Sequence, residues 1–146
     1  VVDLPPGTGD ISLSLAQFLP RAEVYVVTTP NPAAQRVAQR SAFMSHKVNL
    51  EVKGVIENMS WFTGDDGKRY ELFGAGGGQE LADRLEVPLL GQIPLVSALR
   101  GGGDHGNPIM SVDPDAEASK VFEVMASRID TELAPTRRSH PELKIL

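Results

Sequence analysis

The chain opens on Asp3-Leu4-Pro5-Pro6-Gly7-Thr8-Gly9-Asp10, two acids around a Gly/Pro loop. An acid at the end of an apolar strand is costly to bury unless it has a partner, such as a metal ion or its waters. A glycine a few residues later can bring its backbone N–H close to a phosphate, because no side chain blocks the approach. Two acids bracketing such a loop suit a magnesium-nucleotide switch. A plainer reading is equally open from these residues: Asp3 ends a strand and Asp10 caps a helix. A second glycine-rich stretch, Gly74-Ala75-Gly76-Gly77-Gly78, is followed by no Lys-Ser/Thr pair and reads as a flexible connection. The turn Thr63-Gly64-Asp65-Asp66-Gly67 holds two acids that read as a solvated turn.

Positioning these residues requires an alternating order of strands and helices. Val1–Leu4 reads as the end of a buried strand, not as the start of a protein. A helix follows over residues 11–18, with Asp10 as its cap. Residues 23–28 (Glu-Val-Tyr-Val-Val-Thr) are short, β-branched and nearly all apolar, as expected of a strand covered on both faces. Asn31-Pro32 is a cap followed by proline at the first helical position. That helix is predicted to run to about His46, with Ala34, Val37, Ala38, Ser41 and Ala42 inward. Residues 52–57 form a third strand, and 61–73 a hairpin excursion around the Gly/Asp turn. A helix over 79–85, a strand over 88–93, one turn at 97–100, a loop at Gly101–Gly103 and a helix over 114–133 complete the order. Residues 1–133 then form one α/β unit, mainly a parallel sheet flanked by helices, and 134–146 a polar tail. Ligands of such sheets sit at the carboxyl ends of the strands. That rule selects residues 3–10, 28–31, 58–60 and 94–98, with Thr28 and Thr29 among the candidates.

Composition narrows the partners. The 146 residues carry a net charge of −5, so no nucleic-acid or anionic-membrane footprint is expected. No apolar run is long enough to span a bilayer, and no signal peptide opens the chain, which suits a cytoplasmic protein. There is no cysteine, which excludes thiol catalysis and any cluster or zinc site built on this chain's own thiolates.

Several collinear stretches together resemble the Mrp/ApbC family, MinD-like P-loop ATPases associated with iron–sulfur cluster assembly. Asp3–Asp10 resembles its Walker B and switch II segment. Val27-Thr28-Thr29-Pro30, Gly54-Val55-Ile56-Glu57-Asn58-Met59-Ser60-Trp61-Phe62, Phe73–Gly78, Val87–Leu95 and Gly103–Ile109 follow in family order. The resemblance implies a P-loop NTPase fold that binds ATP and Mg²⁺. Under it, Asp3 is the Walker B acid that holds Mg²⁺ through water. Gly7 faces the γ-phosphate, and Asp10 is the switch acid that orients the attacking water. Asn58 takes the position whose side-chain amide recognises the adenine edge. Pro94 and Leu95 open a loop that offers backbone groups to the base. The family also implies a homodimer and exchange with iron–sulfur apoproteins or assembly proteins.

Two departures qualify that implication. No G-x-x-x-x-G-K-[ST] occurs, so the chain reads as the C-terminal portion of such a domain without its Walker A segment, inactive alone. Where many family members carry Cys-x-x-Cys, this chain has Thr63-Gly64-Asp65-Asp66-Gly67-Lys68, a poor cluster ligand. The alternatives are a MinD/ParA-like positioning ATPase and a non-catalytic interaction remnant.

Overall fold

The computed structural model describes residues 1–4 and 9–133. Gly7 and the tail 134–146 lie outside the described residues. The order is α1 (Gly9–Phe18), β1 (Glu23–Thr28), α2 (Pro32–Lys47), β2 (Glu51–Asn58), β3 (Phe62–Thr63), β4 (Arg69–Tyr70), α3 (Gly77–Leu85), β5 (Leu89–Ile93), α4 (Ser97–His105), α5 (Ile109–Val112) and α6 (Glu117–Thr131). β1, β2 and β5 form a parallel sheet in the order β1-β2-β5, while β3 and β4 form the expected antiparallel hairpin. Parallel neighbours need crossover connections, and α2 and α3 lie on those between β1 and β2 and between β2 and β5.

The core lies between the sheet and α2–α3. Val26, Val52 and Val55 pack there with Ala38, Ala42, Leu81, Ala82 and Leu85. Alanines on α2 let the helix approach the strands closely. Its start follows the sequence: the Asn31 side chain accepts the Ala33 N–H at 2.8 Å, and Pro32 has no N–H to satisfy. On the far side α6 packs on β5, where Arg128 donates to the carbonyls of Leu89 (3.0 Å) and Leu90 (2.8 Å).

Five local expectations need correcting. Val1–Leu4 is not a strand: no described backbone ladder pairs with it, and Val1, Val2 and Asp3 are exposed. Asp10 falls inside the first turn of α1 rather than before it. β1 is not covered on both faces, since Val27 is 58% exposed. β-branched residues suit a pleated, half-buried surface as well as a fully covered one, so composition alone does not tell the two apart. The buried stripe of α2 is Gln35, Ala38, Ala42 and Ser45, one step round from the expected set, with Val37 exposed. Gln35 can be inside because its Nε2 donates to the Pro30 carbonyl at 2.9 Å. Finally, Gly101–Gly103 is helical, within α4. Gly102 lies so close to the Asn107 carbonyl that a Cβ would collide with it, and its own carbonyl accepts the Asn107 N–H at 2.8 Å.

The acidic turn of the hairpin is not simply solvated. Asp66 accepts the Lys68 N–H (3.0 Å) and the Tyr70 hydroxyl (2.8 Å). The first bond, then the second, holds its carboxyl below the usual range, and the same contact raises the Tyr70 hydroxyl. A carboxyl lowered in the folded state stabilises above its ordinary value and loses that contribution as pH falls through its folded value. The Tyr70 ring signals in an NMR titration are therefore expected to move toward disordered values below about pH 4, the ordinary carboxylate range. Asp66→Asn should remove that transition; an unchanged titration in the variant would locate the effect elsewhere.

Candidate functional site at the carboxyl edge of the sheet

The loops leaving β2 and β5 are zipped together. Asn58 and Ile93 are register partners at the strand ends. Beyond them the Ser60 N–H donates to the Ile93 carbonyl (3.0 Å), and the Leu95 N–H to the Trp61 carbonyl (2.7 Å). Asn58 therefore stands beside the start of the Pro94–Leu95 loop, two elements that are remote in sequence. Pro94 is fully buried and has no N–H. With the Leu95 N–H already used, this loop can offer a base only carbonyl acceptors at these two residues.

Asn58 is half-buried, and its Oδ1 accepts the N–H of Met59 at 2.9 Å. That leaves both Nδ2 protons and one Oδ1 lone pair for a ligand. The bond depends on Met59, which adopts a left-handed backbone at φ 58°. A side-chain-bearing residue there costs about 1–2 kcal/mol and persists only where its surroundings impose it. The imposing contact is local: the Ser60 hydroxyl donates to the Glu57 carbonyl at 3.2 Å and closes the turn.

Glu57 is the residue that sequence reading passed over. It is 1% exposed, and both carboxylate oxygens are used. One accepts the Gly78 N–H, the other the Gln92 Nε2 at 2.7 Å. Gly78 is the second residue of α3, so the carboxylate sits at the positive end of that helix. The signal for it was a lone acid in an apolar run immediately before Asn58.

The second glycine stretch is a packing device rather than a flexible connection. Gly74 and Gly76 have φ of 91° and 75°, conformations that favour glycine. At Gly77 a Cβ would lie 2.5 Å from the Pro30 carbonyl oxygen, and at Gly78 it would lie 2.6 Å from the Glu57 Cβ. Glu57 occupies the start of α3 that a phosphate would need, which agrees with the absence of a Lys-Ser/Thr pair there.

Asp3 is exposed near the start of the chain, and among the described residues no hydrogen bond or ion pair joins it to the Asn58 turn. Asp10 is placed by its backbone alone, in α1. Thr28 is buried and its hydroxyl donates to the Thr29 carbonyl at 3.2 Å. Among the described residues no group of three or more His, Asp or Glu side chains could hold a metal ion. Mg²⁺ asks for little more than one or two carboxylates when substrate phosphates and waters fill the rest of its shell. A groove of about 390 Å³ lies between α6 and β5, walled by Trp61, Leu90, Val121 and Met125 among others. Its walls are mainly apolar and it does not include Asn58. Arg69 covers the Trp61 ring at 4.3 Å and pairs with Glu117 at 2.7 Å, which ties the hairpin to α6.

Residues 1–130 match the ParA family model described as the NUBPL iron-transfer P-loop NTPase. The chain belongs to this family. An iron-sulfur cluster carrier protein of Mycobacterium leprae is 48% identical over 94% of this chain. The chain spans 40% of that relative's length. A nucleotide-binding protein of Archaeoglobus fulgidus, solved in complex with ADP and with cobalt, is 30% identical at a TM-score of 0.64; the match covers 82% of this chain and 48% of that one. The cell-division ATPase MinD of Pyrococcus furiosus shares the fold, with a TM-score of 0.60 and 23% identity over 75% of this chain and 43% of that one. The parallel sheet flanked by helices is thus that of MinD-like P-loop ATPases. No helix among the described residues is long and apolar enough to cross a membrane.

Proposed function

We propose that this chain forms the base-recognising side of an ATP site in a cytoplasmic iron–sulfur cluster carrier, and that groups outside these 146 residues cradle the phosphates. The observation that supports it most is the juxtaposition of Asn58 with the start of the Pro94–Leu95 loop at the carboxyl edge of a family-typical sheet. Adenine places a donor amine beside a ring-nitrogen acceptor, whereas guanine places an acceptor oxygen where the amine stands. Carbonyl acceptors would take the adenine amine and repel a guanine oxygen, while the Nδ2 donor would find an acceptor at N1 of adenine and an opposing N–H at N1 of guanine. By family position Asp3 holds Mg²⁺ through water, Gly7 approaches the γ-phosphate and Asp10 orients the attacking water. Bound Mg²⁺ would neutralise phosphate charge in ATP hydrolysis. The cluster itself is cargo. With no cysteine in the sequence, its thiolate ligands come from other chain segments or from partners, which we take to be iron–sulfur apoproteins and a second copy of the protein.

Calorimetric titration with ATP tests this reading. The polypeptide encoded by the complete reading frame should bind micromolar ATP or tighter, and the 146-residue chain at least about 100-fold more weakly, because phosphate contacts supply much of nucleotide affinity. Equal binding by both would refute the division of labour.

A further inference from the structure

Burying a carboxylate without a cation is expensive, and an apolar residue would fill the same space at less cost. Glu57 nevertheless stands fully buried, with no cation among its hydrogen-bond partners. Its two carboxylate oxygens reach two different elements. One oxygen holds the first turn of α3 through Gly78, the other holds β5 through Gln92. Its main-chain carbonyl takes the Ser60 hydroxyl and closes the turn whose tip is Asn58-Met59. That closure fixes the left-handed Met59, and Met59 in turn fixes the Asn58 amide by donating to Oδ1. With Oδ1 taken by the Met59 N–H, the amide keeps its Nδ2 donors in one place; a free one would rotate and read either base.

We propose that Glu57 is a positioning residue for base recognition. Its buried carboxylate locks the end of β2 against α3 and β5, so that Asn58 presents one fixed face of its amide to adenine. The inference rests on Asn58 being the base-reading residue. It predicts that selectivity between bases, rather than affinity for phosphates, depends on a side chain that touches no ligand.

The test uses the polypeptide of the complete reading frame and three probes: ATP, GTP and inorganic tripolyphosphate. Glu57→Ala should lower the ratio of ATP to GTP affinity about 10-fold, the scale of one lost hydrogen bond to a buried polar group, with tripolyphosphate affinity unchanged. Glu57→Gln should restore most of the ratio. Its amide oxygen can accept the Gly78 N–H, and its NH₂ can donate to the oxygen of a rotated Gln92 amide. If Glu57→Ala does not fold, Gln92→Leu removes one of the two donors and should lower the ratio about 3-fold. A purely structural role would weaken all three probes together and leave the ratio where it was, which overturns the proposal. Asn58→Ala separates the two layers. If it collapses the ratio while the Glu57 and Gln92 variants keep it, the positioning role alone fails. If it leaves the ratio intact, the base-reading role fails and the positioning role with it.

Discussion

Gly78→Ala should lower the melting temperature by about 4–8 °C. The added Cβ would lie 2.6 Å from the Glu57 Cβ and 2.9 Å from its Oε2, so the carboxylate or the helix must move. Overpacking of a filled interior costs about 1–3 kcal/mol. Displacing the Gly78 N–H from a buried carboxylate adds about 1–3 kcal/mol, because both groups then lack a partner. Alanine returns about 1 kcal/mol through its better helix propensity. The terms net to a loss of about 1–5 kcal/mol, of which ~2 kcal/mol already converts to that shift for a domain of this size. Thermal unfolding followed by circular dichroism reads it directly. An unchanged or raised melting temperature would show that the α3 start is loosely packed against β2, contrary to the contacts of Glu57.

Asn58→Ala is the variant with the largest expected effect on ligand binding. It removes an exposed-side donor pair and one acceptor lone pair, yet leaves the strand, since Asn58 makes its ladder contacts through the main chain. Losing one or two hydrogen bonds to a base costs about 1–3 kcal/mol, or about 5- to 150-fold in ATP affinity at equal phosphate contacts. GTP affinity should change much less, because guanine gains little from the amide as it is held here. The substitution also frees the Met59 N–H, so a modest loss of stability is expected alongside. A parallel fall in ATP and GTP affinity would mean that the change acts through the fold and not through the base.

The layout was legible because it is written in local chemistry. Asn31-Pro32 announces α2, short β-branched runs announce β1 and β2, and the Gly-Asp turn announces the hairpin. The position of Asn58 at a strand end followed from the same pattern. What escaped is long-range. Glu57 reads as one polar residue in an apolar strand, and its partners Gly78 and Gln92 lie 21 and 35 residues away. The glycines at 77 and 78 look flexible until the Pro30 carbonyl and Glu57 are placed against them. Gly102 sits in a helix because a carbonyl five residues later needs the room. Exposure of Val27 could not be read either, since which strand lies at the edge is set by the sheet order and not by the run itself.

Photolabelling with 8-azido-ATP, followed by peptide mapping of the complete polypeptide, locates the base. Label is expected on the peptides carrying Asn58–Trp61 or Pro94–Ala98, and should be lost in Asn58→Ala or with excess ATP. Competable label confined instead to the groove between α6 and β5, with the carboxyl-edge loops unmarked, would contradict that expectation.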